Sequence, residues 1–145
     1  MKKLKLEVET IQVSIYCEII MQILIKHKEL SVNKMLVFAY LIKKDRLIPR
    51  NIYNGNNTQD IIYKCISMLS GDYNEYCNSI EFILKAIHIL NKNKLIFIEN
   101  DVLHSISKTT VERLVYEESM FLEKAIEASK RMTDKQFMKE VTHIV

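Results

Sequence analysis

The stretch from Asn78 to Ser107 constrains this chain more than any other. Ile80, Phe82, Ile83, Leu84, Ala86, Ile87, Ile89 and Leu90 give a strongly apolar helical pattern that stops at Asn91-Lys92-Asn93-Lys94. Two short apolar runs follow, Leu95-Ile96-Phe97-Ile98-Glu99 and Val102-Leu103-His104-Ser105-Ile106, separated by Asn100-Asp101. Two residues of that type between strand-like runs predict a β-hairpin. A helix that runs into a hairpin is the end of a winged helix-turn-helix unit, which serves either DNA reading or protein assembly.

The rest of the chain must supply helices. Only two glycines (Gly55, Gly71) and one proline (Pro49) occur in 145 residues, too few for the turns of an all-β fold. The length suits one domain, residues 1–145, with a proper core. The fold class expected is mainly α: a winged helix-turn-helix with a short hairpin and a two-helix C-terminal extension.

Three segments compose it. Residues 14–44 read as an apolar helix pair. Ser14 caps the first helix, which runs to about His27 with only Glu18 and Gln22 polar between Ile15 and Ile25. Ser31 caps the second, Val32 to Lys44, whose centre from Met35 to Ile42 is continuously apolar. Before them, residues 4–13 alternate and suggest a short edge strand or a lead-in. Residues 45–57 form the main loop, with Leu47-Ile48 and Ile52-Tyr53 as strand candidates at its edges.

Residues 58–107 hold the winged unit: a helix from Thr58 to about Leu69, a turn at Ser70-Gly71, and a helix opened by Asp72 and Glu75 at capping-box spacing. Residues 109–145 complete the chain. Thr109–Glu112 is a capping box for a long helix to about Arg131, and Thr133–Gln136 repeats the box for a last helix.

Chemistry for catalysis is sparse. Two isolated glycines cannot cradle a phosphate, and no H-E-x-x-H, C-x-x-C or D-x-D-x-D-G spacing occurs. His27, His88, His104 and His143 lie on separate elements. Cys17, Cys65 and Cys77 sit among apolar residues and read as buried free thiols in a reducing compartment. A Cys–His pair meeting in space would need a polar pocket uniting them. The expectation is a non-enzyme with no catalytic residue, metal or cofactor.

Partners are harder to read. The net charge of +3 is only mildly basic. Glu99 and Asp101 place carboxylates at the wing tip, where a DNA reader needs a cation for phosphate. The outer face of the preceding helix offers Glu81, Lys85, His88 and Lys92, without an arginine for guanine. Lys43, Lys44, Arg46 and Arg50 are the candidate nucleic-acid contact, through phosphate and without sequence preference. The apolar surplus of the helix pair suggests a face that docks on another protein. Met35, Phe38 and Tyr40 are candidates for it, with Glu99 and Asp101 at the tip. The longest apolar segment, Ile15–Ile25, is too short for a bilayer, which needs about 20 residues. A cytoplasmic protein without a membrane role is expected.

The order of these elements resembles a known group. The segments "LSVNKMLVFAYLI", "DYNEYCNSIEFILKAIHILNKNKLIFIEN" and "MTDKQFMKEVTHIV" are similar to the middle components of ABC-three-component systems, over roughly residues 14–145. These are small winged-helix subunits encoded beside an SMC-like ATPase and an effector, as in Lamassu-type antiviral systems. The resemblance implies a noncatalytic accessory subunit bridging the two in a bacterial defence complex that senses foreign DNA, with any DNA contact made through the complex. The alternative from the residues alone is a winged-helix transcription regulator.

Overall fold

The alternating residues 4–13 do not form a strand. In the computed structural model, which describes residues 2–45, 58–106 and 119–144, the first helix α1 spans Lys2–His27 without a break. The alternation over 4–13 misleads because Leu4, Val8 and Ile11 also stand four and three residues apart, a helical stripe. Ser14 is therefore an exposed mid-helix residue rather than a cap. From Val13 onward α1 buries Tyr16, Ile19, Ile20, Ile23 and Leu24. Before Val13 its apolar residues Leu4, Leu6, Val8 and Ile11 all remain exposed. By length and composition alone α1 is apolar enough to cross a membrane.

Lys28 turns the chain at φ +74 into β1, Glu29–Ser31, a strand too short to announce itself in the sequence. α2, Val32–Asp45, begins at once, and the Ser31 hydroxyl accepts from the Lys34 N–H at 3.4 Å, the expected cap. α2 is the central helix. Met35, Val37, Phe38, Ala39, Tyr40, Leu41 and Ile42 are buried and Leu36 is half-buried, so nearly all of the continuous apolar run is core. α1, α4, α5 and α6 all pack against it. The candidate docking residues Met35, Phe38 and Tyr40 are thus corrected: they are buried inside this chain and offer no face to a partner.

α3 (Thr58–Ser67) leads through Gly71, at φ +84, into α4 (Tyr73–Lys92). That positive φ is why the turn uses glycine. Asp72 is the N-cap residue of α4, yet its side chain makes no capping bond. It pairs instead with the Lys44 ammonium on α2. The other carboxylate of that expected box, Glu75, accepts from the Tyr40 hydroxyl at 3.4 Å. Burial, with Glu75 beside it, pushes the Tyr40 phenol up to about 12.

The hairpin forms as expected. β2 (Ile96–Glu99) and β3 (Val102–Ser105) pair antiparallel, Glu99 opposite Val102 and Ile96 opposite Ser105. Asn100 and Asp101 have φ of +52 and +61, the two positive values a two-residue type I′ turn requires. β1 adds to the far side of β3, giving a three-stranded sheet in the order β1-β3-β2. The third strand comes from between α1 and α2, so residues 14–44 and 58–106 share one sheet and one core. The Asp101 carbonyl accepts from the Val32 N–H at 2.9 Å, which fixes the hairpin tip against the start of α2.

The C-terminal extension holds two described helices, α5 (Met120–Ser129) and α6 (Asp134–Ile144). The long helix expected to reach Arg131 does not run through Ser119, whose backbone is extended (φ −69, ψ 162). Its hydroxyl accepts from the Leu122 N–H and caps α5. The capping box at Thr109–Glu112 lies outside the described residues, as do Leu47-Ile48 and Ile52-Tyr53. The second box forms fully. Thr133 Oγ1 accepts from the Gln136 N–H at 3.1 Å, and Gln136 Oε1 accepts from the Thr133 N–H at 2.9 Å. Phe137 of α6 closes the core against Phe38, ring centroids 5.6 Å apart.

Candidate functional site

α1 and α4 pack along much of their length, and the exposed N-terminal half of α1 leaves an open cleft beside α4. Its volume is about 790 Å³. Leu6, Val13 and Cys17 line it from α1, and Leu84 and Ile89 from α4. Leu84 is 45% exposed and Ile89 is 41% exposed, large values for apolar residues in the middle of a helix. Glu9, Thr10, Ser14, Glu81, Lys85 and His88 supply the polar edge.

Both faces of α4 follow from its spacing. Tyr76, Ile83, Ala86, Ile87 and Leu90 turn inward. Glu81, Leu84, Lys85 and His88 then fall outward. The outward charges neutralise each other: Lys85 Nζ meets Glu81 Oε1 at 2.9 Å, one turn apart. That bond holds the Glu81 carboxyl below its usual range and raises the Lys85 ammonium. The outward face of α4 is thus an apolar wall carrying a closed ion pair.

Of the candidate phosphate contacts, Lys43 and Lys44 lie among the described residues, and both are engaged within the fold. Lys43 donates to Gln12 and lies over the Tyr16 ring, 5.1 Å from its centroid. Lys44 is bound to Asp72 and to the Met68 carbonyl, the latter at 3.2 Å. Partial burial lowers both ammonium pKa values. Both lysines tie α2 to its neighbours, so their charges serve the fold. Arg46 and Arg50 lie outside the described residues. Glu99 and Asp101 are exposed at the hairpin tip, as expected.

The cleft does unite a cysteine with a histidine, Cys17 and His88. Of the three thiols expected to be buried, Cys65 is, Cys17 is half-buried and Cys77 is exposed. The chemistry of Cys17 runs against a nucleophile. Cys17 Sγ points at the Ala86 carbonyl, 3.8 Å away, and burial followed by the Glu18 charge raises its pKa. Among the described residues no group of three or more His, Cys, Asp or Glu side chains is placed to hold a metal ion.

A polar clasp that the sequence did not reveal joins α1 to α5. His27 is buried, and its Nδ1 lies 2.6 Å from Glu127 Oε1. Lys130 donates to the His27 carbonyl at 2.5 Å, and Lys26 meets Glu123 at 3.0 Å. Cations at the C-terminal end of α1 complement its helix dipole. Lys34, also buried, donates to the Met132 carbonyl at 2.6 Å in the turn between α5 and α6. The only local signal is the spacing of Glu123, Glu127 and Lys130 along one face of α5, which does not name a partner on α1.

Comparison of the chain with protein-family models, with curated proteins and with solved structures found no match.

Proposed function

We propose that this chain is a winged-helix-shaped, noncatalytic accessory subunit that works by docking on proteins. The element order supports the shape: helix, β1, the helices α2 to α4, then a hairpin, with strand order β1-β3-β2. α4 then stands where a reading helix stands, directly before the hairpin. The observation that carries the function is the outward side of α4. It is apolar, internally charge-paired and walled by α1, and it is suited to a helix of a partner protein rather than to a phosphate backbone.

The partner class we propose rests on the resemblance of the sequence to ABC-three-component middle components: an SMC-like ATPase that the subunit connects to an effector in a cytoplasmic anti-phage or anti-plasmid complex. The test is co-expression of the tagged chain with the products of its neighbouring genes. A stoichiometric complex with a large ATPase is expected. Purification of the chain without that ATPase contradicts the proposal.

The transcription-regulator reading draws on the same element order. It requires sequence-specific DNA binding by the isolated chain at physiological salt, and a flat footprint excludes it. The exposed carboxylates at the tip and the engaged Lys43 and Lys44 weigh against it.

A further inference from the structure

The hairpin carries an open edge. β3 is the middle strand, and among the described residues no strand pairs with the outer edge of β2. Hydrogen-bond alternation along β2 says which groups face outward. The pair beside a two-residue turn, Glu99 and Val102, is a bonded pair. The Ile106 N–H donates to the Leu95 carbonyl at 3.1 Å, which fixes the same phase at the other end. Leu95, Phe97 and Glu99 therefore bond inward to β3. Ile96 and Ile98 direct their N–H and C=O groups away from the sheet.

That edge lacks the usual protection. Leu95 to Ile98 carries no charge, proline or glycine. Ile98 lies in the row of Leu103 and Leu30, both buried, yet it is 43% exposed itself. The core thus stops one strand short of covering its own row. On the other face Phe97 is 41% exposed and stacks on His104, centroids 4.7 Å apart.

The geometry points to a second copy of this chain as the occupant, added strand to strand through β2. A two-fold axis perpendicular to the sheet runs the two β2 strands antiparallel and keeps both cores on one side. Such an axis sets residues of the same face opposite each other. The register that uses every outward group pairs Ile96 with Ile98 of the other copy, and Ile98 with Ile96. It centres on Phe97 opposite Phe97, a non-bonded pair whose side chains stand close.

Charge agrees with this arrangement. The base of each hairpin is basic (Lys92, Lys94) and the tip is acidic (Glu99, Asp101), and all four are exposed. Antiparallel pairing brings the base of one copy beside the tip of the other, twice. The result is a continuous six-stranded sheet whose remaining edges are the two short β1 strands. An edge of four residues covers less than the roughly 800 Å² per partner of a standard interface, so the dimer is weak and concentration-dependent. It does not depend on the accessory-subunit reading and is tested on the chain alone.

Sedimentation of the full chain is expected to move from 17.1 kDa toward twice that mass as concentration rises to the order of 100 μM. Ile98→Pro removes an N–H that points outward and leaves the β3 ladder intact, a substitution edge strands tolerate. It is expected to abolish the dimer while retaining the circular dichroism of the wild type. Two charge variants keep the test decisive should that variant misfold: E99K/D101K, with base and tip both basic, and K92E/K94E, with both acidic. Lysine already occupies positive φ in this chain at Lys28 and Lys94, so the first is compatible with the turn. Each is expected to be monomeric alone, and a mixture of the two is expected to dimerise. A wild-type chain monomeric throughout overturns the inference. So does a dimer that persists in both charge variants, because it is then held by another surface.

Discussion

His27 on α1 and Glu127 on α5 are linked by a 2.6 Å contact between Nδ1 and Oε1, with the imidazole buried and the carboxylate at the surface. The pair is separated by 100 positions in sequence, and it fastens the C-terminal extension to the first helix. His27→Ala leaves a cavity and removes one of the partners of Glu127, which keeps Lys130 at 3.5 Å. A loss of about 1–3 kcal/mol is expected, read as a shift of the urea midpoint with unchanged slope.

The same pair makes stability depend on pH. Hydrogen bonding from His27, followed by weaker contributions that include the Lys130 charge, depresses the Glu127 carboxyl pKa in the folded chain. A depressed folded value contributes stability that is fully present above the unfolded glutamate value, about 4.3, and that fades as pH falls through the folded one. The carboxylate is half exposed, so solvent screening keeps the effect small. The urea midpoint of the wild type should exceed that of Glu127→Gln at pH 6 to 7, the gap closing below the carboxylate range. A gap independent of pH contradicts this.

Thr133 and Gln136 bond to each other's backbone reciprocally at the start of α6. Thr133→Ala should cost about 1 kcal/mol. Because α6 packs Phe137 and Val141 into the core, fraying there is expected to appear as faster hydrogen exchange across residues 134–144.

Much of this architecture could be read directly from local patterns. The capping box at Thr133, the cap at Ser31, the glycine turn at Gly71 and the Asn100-Asp101 hairpin depend on residues within four positions of each other. What stayed hidden depends on distant ones. Lys43 and Lys44 look like a basic loop until Gln12, Asp72 and Tyr16 are brought to them by the packing of α2. Met35 to Ile42 looks like a surplus face until four other helices surround it. β1 escapes notice because three residues carry no periodicity, and the start of α1 misleads because period two and period 3.6 coincide over so few positions. For the cleft, Leu84, Lys85 and His88 are legible as outward residues of α4, but the apposition of Leu6 and Val13 is not.

Lys44 gives a direct test of whether these lysines serve the fold. Lys44→Glu places a carboxylate against Asp72 and beside the Met68 carbonyl. It should lower thermal stability and leave any salt dependence of DNA binding by the purified chain unchanged. A surface lysine that neutralised a phosphate would behave the other way: stability would be kept, and its removal would reduce the salt slope by about one.

The central claim is that the outward side of α4 is a protein-docking wall. Its most direct test is the mass of the complex formed when the chain is co-expressed with the SMC-like ATPase proposed as its partner, for the wild type and for Leu84→Glu. Leu84 is already partly in water, so the substitution should leave the helix content and melting temperature of the isolated chain close to wild type. The account predicts an intact complex with the wild type and a free ATPase with the variant. A complex that survives Leu84→Glu unchanged, or a wild-type chain that never binds the ATPase, would contradict it.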